Sequence, residues 1–167
     1  MRTPPRISLS SITPSNLGTL RKLNSVIFPV KYSERFYKDV LLPEAEDFCK
    51  LVYYNDLPVG TICCRIERSG PEGEAKLYIM TMGVLAPYRS RSLGSEALKQ
   101  ILASAASSQK PKITHVYLHV QVSNDGAKRF YERQGFVELK KEEGYYKKIE
   151  PRDAWVLERK TWSDAPA

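Results

Sequence analysis

A chain of 167 residues, 42% apolar and 27% charged, is long enough to bury the core of one domain and too apolar to be wholly disordered. Its 26 lysines and arginines against 19 aspartates and glutamates leave a net charge of +7. That excess suits nucleic acid, a ribosome surface or a phosphorylated cofactor and does not choose among them. Cys49, Cys63 and Cys64 are an odd set without a Cys-x-x-Cys pair, which argues against a disulfide framework or a zinc site. His115 and His119 lie four apart without a His-Glu-x-x-His context, so no metal is expected. No apolar run approaches the ~18 residues of a membrane span. The opening Met1-Arg-Thr-Pro-Pro-Arg6 lacks the apolar core of a signal peptide. A reducing compartment, cytoplasm or nucleus, is expected, with no membrane contact.

In chain order, Arg6 to Ser11 alternates apolar and polar residues and reads as a strand. Thr13-Pro14 reads as a helix start, because Thr can cap free amides and Pro suits the first helical position. Leu17, Leu20, Leu23, Val26 and Ile27 then form an apolar face, and Phe28-Pro29-Val30 ends the helix. Ser33 to Leu41 reads as a second short helix. Asp47 to Tyr54 is a strand, Asn55-Asp56-Leu57-Pro58 the turn, and Val59 to Glu67 the returning strand. After the turn Ser69 to Gly73, Ala75 to Val84 is the next strand, closed by Ala86-Pro87. Leu93, Ala97, Leu98, Ile101, Leu102 and Ala105 mark one helical face. His115 to Val122 is a strand. Ser123-Asn124-Asp125 can cap a helix over Gly126 to Gln134, which Gly135 ends. Phe136 to Lys141 and Tyr145 to Ile149 read as a final antiparallel pair, and Asp153 to Trp162 as helical or frayed. Hairpins followed by a β-α-β unit give an α/β domain: a mixed sheet with helices on both faces, centred on Ala75 to Val84 and His115 to Val122.

The segment with most chemical content is Arg89-Ser90-Arg91-Ser92-Leu93-Gly94-Ser95, where a strand gives way to a helix. Leading N–H groups and the helix dipole attract phosphate there, small residues admit it, and Arg89 and Arg91 add charge. The segment is either a pyrophosphate cradle or a basic, serine-rich loop that happens to start a helix.

Arg89-Ser-Arg-Ser-Leu-Gly94 resembles motif A of the GCN5-related N-acetyltransferases (GNAT), Arg/Gln-x-x-Gly-x-Gly/Ala. Asn124, Ala127 and Phe130-Tyr131-Glu-Arg-Gln-Gly135-Phe136 are similar to motif B. Phe28-Pro-Val-Lys-Tyr32, Phe36-Tyr-Lys-Asp-Val40, Leu77-Tyr-Ile-Met-Thr81, Leu85-Ala-Pro-Tyr-Arg89, Tyr117-Leu-His-Val-Gln121 and Tyr145-Tyr-Lys-Lys-Ile-Glu-Pro151 resemble the catalytic subunits of N-terminal acetyltransferase E. The resemblance runs from Ile7 to Lys160. It implies one GNAT domain over 7–160, with tails at 1–6 and 161–167. Its sheet would be mostly antiparallel, with a splayed pair of parallel central strands. The implied activity is transfer of acetyl from acetyl-CoA to the α-amine of peptides, chiefly those keeping an initiator Met before a hydrophobic residue, and also to lysine ε-amines. The implied partners are nascent chains, the N-terminal acetyltransferase A complex and the ribosome.

The resemblance also assigns residues. Met82, Gly83, Val84, Arg89 to Ser95, Asn124 and Tyr131 would hold acetyl-CoA. Tyr78 and His119 match the family's general bases. A His titrates close to working pH and a Tyr hydroxyl can relay through water, while the same two residues also suit a cross-strand packing pair. Tyr131 either protonates the leaving thiolate or packs on the core. Asn124 either bonds the pantetheine arm or caps its helix. Phe28, Pro29, Val30, Tyr32, Met80, Tyr145, Tyr146 and Ile149 would form an apolar slot for Met. Cys63 and Cys64 lie outside the motif loops, so no acyl-enzyme is expected. The run Lys140 to Lys148 mixes both signs and reads as a solvated face. One residue departs from the pattern: Ser92 stands where motif A has a glycine. If φ is positive there, Ser costs about 1 kcal/mol. That departure also fits a catalytically weak or inactive subunit of a ribosome-bound complex, and a small-amine acetyltransferase remains a third reading.

Overall fold

The structure, a computed structural model, describes residues 4–161. Its elements are β1 (Ile7–Ser11), α1 (Leu17–Ile27), α2 (Glu34–Asp39), β2 (Cys49–Tyr54), β3 (Leu57–Glu67) and β4 (Glu74–Val84). They are followed by α3 (Leu93–Ser107), β5 (Lys112–Gln121), α4 (Asp125–Arg133), β6 (Val137–Glu142) and β7 (Ala154–Lys160). Short 3-10 turns cover Pro43–Phe48 and Ala86–Tyr88. The seven strands are ordered β1-β2-β3-β4-β5-β7-β6. β4 and β5 run parallel, while β1 with β2, β2 with β3, β5 with β7 and β6 with β7 run antiparallel. β4 is thus central, as its sequence implied. Residues 1–3 and 162–167 lie outside the described residues, and with them half of the expected N-terminal tail and all of the C-terminal one but Thr161.

Two compact units divide the chain. One holds the described residues up to Ile66 together with Ile79–Ser107, and the other Glu67–Tyr78 with the described residues from Ser108 onward. In the first, α1 and α2 bury Leu20, Leu23, Phe36 and Tyr37 against Cys49, Leu51 and Cys63 of the β2–β3 hairpin. In the second, Leu77, Val116, Leu118, Val156 and Leu157 are buried on neighbouring strands. Burial of this many apolar side chains is the main force holding each unit together. The three cysteines are all free and buried, so they serve as small core residues.

Four expectations need correction. Helix α1 starts at Leu17, not at Pro14. The Asn16 Oδ1 accepts the Thr13 N–H at 2.8 Å and the Asn16 N–H donates to the Thr13 carbonyl at 3.1 Å, which closes Thr13 to Asn16 as a turn. Val26 is 62% exposed, because the buried stripe follows i, i+3, i+4 from Leu20 and gives its next place to Asn24. Buried Asn24 is satisfied by the Tyr37 phenol and by the Thr61 hydroxyl, each at 3.3 Å. Strand β3 resumes at Leu57, two residues before the expected Val59. Asn55 (φ 49°) and Asp56 (φ 70°) are both left-handed, as a two-residue hairpin turn of the primed type requires.

The fourth correction reaches the candidate site. Tyr145 to Ile149 is not a strand. The Tyr146 N–H donates to the Arg152 carbonyl at 2.8 Å and the Gly144 N–H to Asp153 Oδ1 at 2.9 Å, so the segment folds back on itself as a loop. The partner of β6 is Ala154–Lys160, expected as helical or frayed. It pairs on both sides, Leu157 with Leu118 and with Glu138, and strand geometry satisfies its backbone in a way a fraying helix would not.

Candidate functional site

In the second unit, parallel pairing sets Tyr78 beside Tyr117, and His119 lies two residues further along β5. Residues i and i+2 of a strand share a face, which brings Tyr78, Tyr117 and His119 together. The Tyr78 and Tyr117 ring centroids are 4.8 Å apart. The Tyr78 oxygen is 2.8 Å from His119 Nδ1 and 2.8 Å from the Tyr145 oxygen. Tyr145 stacks on the imidazole with centroids 3.8 Å apart and planes 6° from parallel. On the other side of the ring, His119 Nε2 is 2.7 Å from Glu142 Oε2. The Tyr117 phenol donates to Glu67. The expected pair is therefore one part of a four-member chain, Tyr145–Tyr78–His119–Glu142.

Two members of that chain extend the sequence reading. Tyr145 was assigned to the peptide slot, and its phenol here bonds Tyr78. Glu142 was absorbed into a solvated charge run. Only the position of β7, between β5 and β6, reveals that Glu142 at the end of β6 can reach a β5 side chain. Tyr146 packs edge-on against Tyr145 at 4.9 Å. Burial, and then the neighbouring Tyr145, push its phenol up to about 12, so it stays neutral at working pH. Ile149 is half-buried in the same loop. Asn124 caps α4, its Oδ1 accepting the Ala127 N–H at 3.2 Å. Tyr131 is buried edge-on against Phe130 at 5.1 Å and Phe136 at 5.6 Å. The bland alternatives for Asn124 and Tyr131 are thus both present in the fold.

In the first unit, Tyr32 stacks on Phe36 at 4.8 Å and meets Phe28 edge-on at 5.9 Å. Met80 and Tyr32 both pack on the α1–α2 core. Pro29 is exposed and Val30 half-buried. Gly83 lies beneath the Phe28 ring: a Cβ there would fall 2.5 Å from Ile27 Cγ2 and 2.9 Å from Phe28 Cζ. Gly83→Ala should therefore push Phe28 and Ile27 outward. The expected loss is about 1–3 kcal/mol of stability, as for other overpacked sites, and denaturant titration checks it.

The motif A segment belongs to the same unit. Ser90 (φ 64°) and Ser92 (φ 65°) are left-handed, with Arg91 between them outside that region. Alternating handedness of this kind turns successive N–H groups to one side, a shape that suits an anion. Arg89 Nε donates to the Val84 carbonyl at 3.1 Å, and the Arg91 guanidinium lies 5.3 Å from the Tyr54 ring centroid. Both arginines remain exposed. The Glu96 N–H makes the first helical bond of α3, to Ser92 O at 3.0 Å. The loop thus carries two cations at a helix N-terminus, and these residues fit a pyrophosphate.

A profile of the acetyltransferase (GNAT) family matches residues 17–136. The chain belongs to this family. It is 45% identical over 154 residues to N-alpha-acetyltransferase 50 of Danio rerio, covering 92% of this chain and 88% of that protein. It is 44% identical over 164 residues to the probable N-acetyltransferase san of Drosophila melanogaster, covering 98% and 86%. Among solved structures, Arabidopsis thaliana Naa50 in complex with the bisubstrate analogue CoA-Ac-MVNAL superposes with a TM-score of 0.83 at 40% identity, over 92% of this chain and 97% of that one. This GNAT member is an N-terminal acetyltransferase, and the fold implied by motifs A and B is the one observed.

Proposed function

We propose that this GNAT enzyme transfers acetyl from acetyl-CoA to the α-amine of peptides that keep an initiator Met before a hydrophobic residue, and also to lysine ε-amines. The observation that carries the reading is the Tyr78–His119 hydrogen bond, which joins the two groups matched to the family's bases. The similarity to a relative solved with CoA-Ac-MVNAL supports the Met preference.

Acetyl-CoA supplies a thioester carbonyl for the amine to attack. An α-amine has an ordinary pKa near 8, so at neutral pH the enzyme needs to remove one proton from a weak acid and no more. Tyr78 stands to take that proton as its own passes to His119. Arg89, Arg91 and the amides at the start of α3 hold the pyrophosphate, with Met82, Gly83 and Val84 along the β4 end and Asn124 on the pantetheine arm. Tyr131, in edge-on contact with Phe130 and Phe136, would supply a proton to the departing sulfur. Phe28, Pro29, Val30, Tyr32, Met80 and Ile149 offer apolar surface to the Met side chain, and the neutral Tyr146 phenol a hydrogen bond to the peptide. The enzyme works in the cytoplasm beside the N-terminal acetyltransferase A complex at the ribosome, a setting its +7 charge suits.

Transfer of radiolabelled acetyl to Met-Leu, Ser-leading and internal-lysine peptides tests the reading. Met-Leu should be fastest, and preference for Ser or for a polyamine would overturn it. The serine side chain at position 92, where motif A has a glycine, is what a second reading, a weak or inactive subunit, rests on. Ser92 is already left-handed in the chain itself, so Ser92→Gly should raise stability by about 1 kcal/mol in a denaturant titration, and calorimetry should show tighter acetyl-CoA binding only where the serine side chain obstructs the phosphate. Absence of binding to the wild type at millimolar acetyl-CoA would leave the inactive-subunit reading standing.

A further inference from the structure

We infer that Glu142 is a positioning residue: its carboxylate fixes the tautomer of His119 and so sets the direction of proton transfer through Tyr78. This rests on the reading of Tyr78 and His119 as proton acceptors. Glu142 Oε2 and His119 Nε2 are 2.7 Å apart, and the His119 side chain is 12% exposed. The hydrogen bond from His119 holds the Glu142 carboxyl below the usual carboxylate value. Glu142 is therefore an anion at neutral pH, and a carboxylate anion can only accept.

The rest of the chain follows from counting donors. His119 Nε2 must carry the hydrogen that Glu142 accepts. A neutral imidazole has one N–H, so Nδ1 presents a lone pair. The Tyr78 hydroxyl, 2.8 Å away, then donates to Nδ1, and its oxygen accepts from the Tyr145 hydroxyl. With His119 neutral, these three bonds have one consistent set of directions. An incoming amine loses its proton to the Tyr78 oxygen while the Tyr78 proton moves to Nδ1. The amine nitrogen keeps the electron pair that forms the new N–C bond, and no oxidant or reductant is needed. The imidazolium so formed already faces a carboxylate. The groups bonded to or stacked on the ring are Tyr78 on β4, Glu142 on β6 and Tyr145 on the β6–β7 loop. Glu142 is the one charged member of that set.

Without Glu142 the opposite tautomer becomes available. Nδ1–H would then donate to Tyr78, and the ring could no longer accept its proton. Glu142→Ala removes both charge and acceptor. Glu142→Gln keeps an acceptor and removes the charge.

The test combines ring NMR with kinetics on the full chain. His115 and His119 are the only histidines, so a His115→Gln control assigns the imidazole nitrogens. In the wild type, neutral His119 should be protonated at Nε2. Glu142→Ala should populate the Nδ1–H form. Glu142→Gln, which keeps an acceptor, should hold neutral His119 in the Nε2–H form. For Glu142→Ala, kcat should fall about five- to twentyfold with peptide KM unchanged, a fraction of the 10²–10⁴ a general base contributes. Neutral His119 protonated at Nδ1 in the wild type, or held entirely in the Nε2–H form in Glu142→Ala, would overturn the inference. A wild type that acetylates no amine would sink the proposed function, and the ring spectra would still decide the role of Glu142.

Discussion

His119→Ala lowers kcat/KM for a Met-Leu peptide by about 10²- to 10⁴-fold at neutral pH, the span that loss of a positioned general base produces. The loss falls on kcat. His119 Nδ1 and Nε2 are both taken up within the chain, by Tyr78 and Glu142, so the ring acts through the proton it stores and not through binding surface it offers. Ala also deletes the plane on which Tyr145 stacks at 3.8 Å, so Tyr145 loses its anchor as well as Tyr78 its acceptor. Tyr78→Phe breaks the same chain one link earlier and removes the immediate proton acceptor, so a loss of the same order, also on kcat, is expected. Steady-state kinetics at saturating acetyl-CoA measure both. Wild-type rates in the two variants would remove the base assignment. A folding consequence is separable from the rate. The Glu142 carboxyl is depressed, so its contribution to stability is fully present above the ordinary value of 4.5 and is lost as pH falls through the lowered one. Neutral assays therefore report catalysis and not acid unfolding.

How much of this was legible in sequence depended on whether the signal was local. Motif A could be read because a helix start, two arginines and small residues are contiguous, and the condition placed on Ser92, a positive φ, is met at 65°. Tyr78 and His119 could be paired because strand alternation is local and parallel strands bring like positions together. Asn24 could not be recognised as core, since its burial depends on Tyr37 and Thr61, one of them far along the chain. Glu142 and β7 were lost together. The twin tyrosines at Tyr145 looked like a strand by composition, and the turn bonds from Gly144 and Tyr146 that exclude it are tertiary facts. Once the wrong segment was paired with β6, the carboxylate at its end had no visible target. The error therefore fell on the same residues as the further inference: long-range pairing hid the member of the site that the family motifs do not mark.

Phe136→Ala should cost about 3–5 kcal/mol, the usual range for emptying a large buried aromatic position. Phe136 is 2% exposed and sits where α4 turns into β6. Gly135, at φ 92°, makes that turn, and the Phe136 N–H donates back to the Tyr131 carbonyl at 3.0 Å, closing the helix end. The backbone bond survives the substitution, so the loss measures packing alone. For a chain of this size each kcal/mol moves Tm by about 2–4 °C, which puts the expected fall at roughly 10 °C in a thermal melt. A change under about 1 kcal/mol would show that the site collapses around the cavity, against the close packing its burial implies. The variant also separates the two readings of Tyr131. Its ring meets Phe136 edge-on at 5.6 Å, so Phe136→Leu, which keeps apolar volume but loses the aromatic contact, should leave the protein folded while loosening Tyr131. If Tyr131 returns the proton to the thiolate, kcat falls in Phe136→Leu at temperatures where the protein is fully folded. If Tyr131 only packs, Tm falls and kcat holds, because the hydrogen bonds and stacking that join Tyr145, Tyr78, His119 and Glu142 do not run through Phe136.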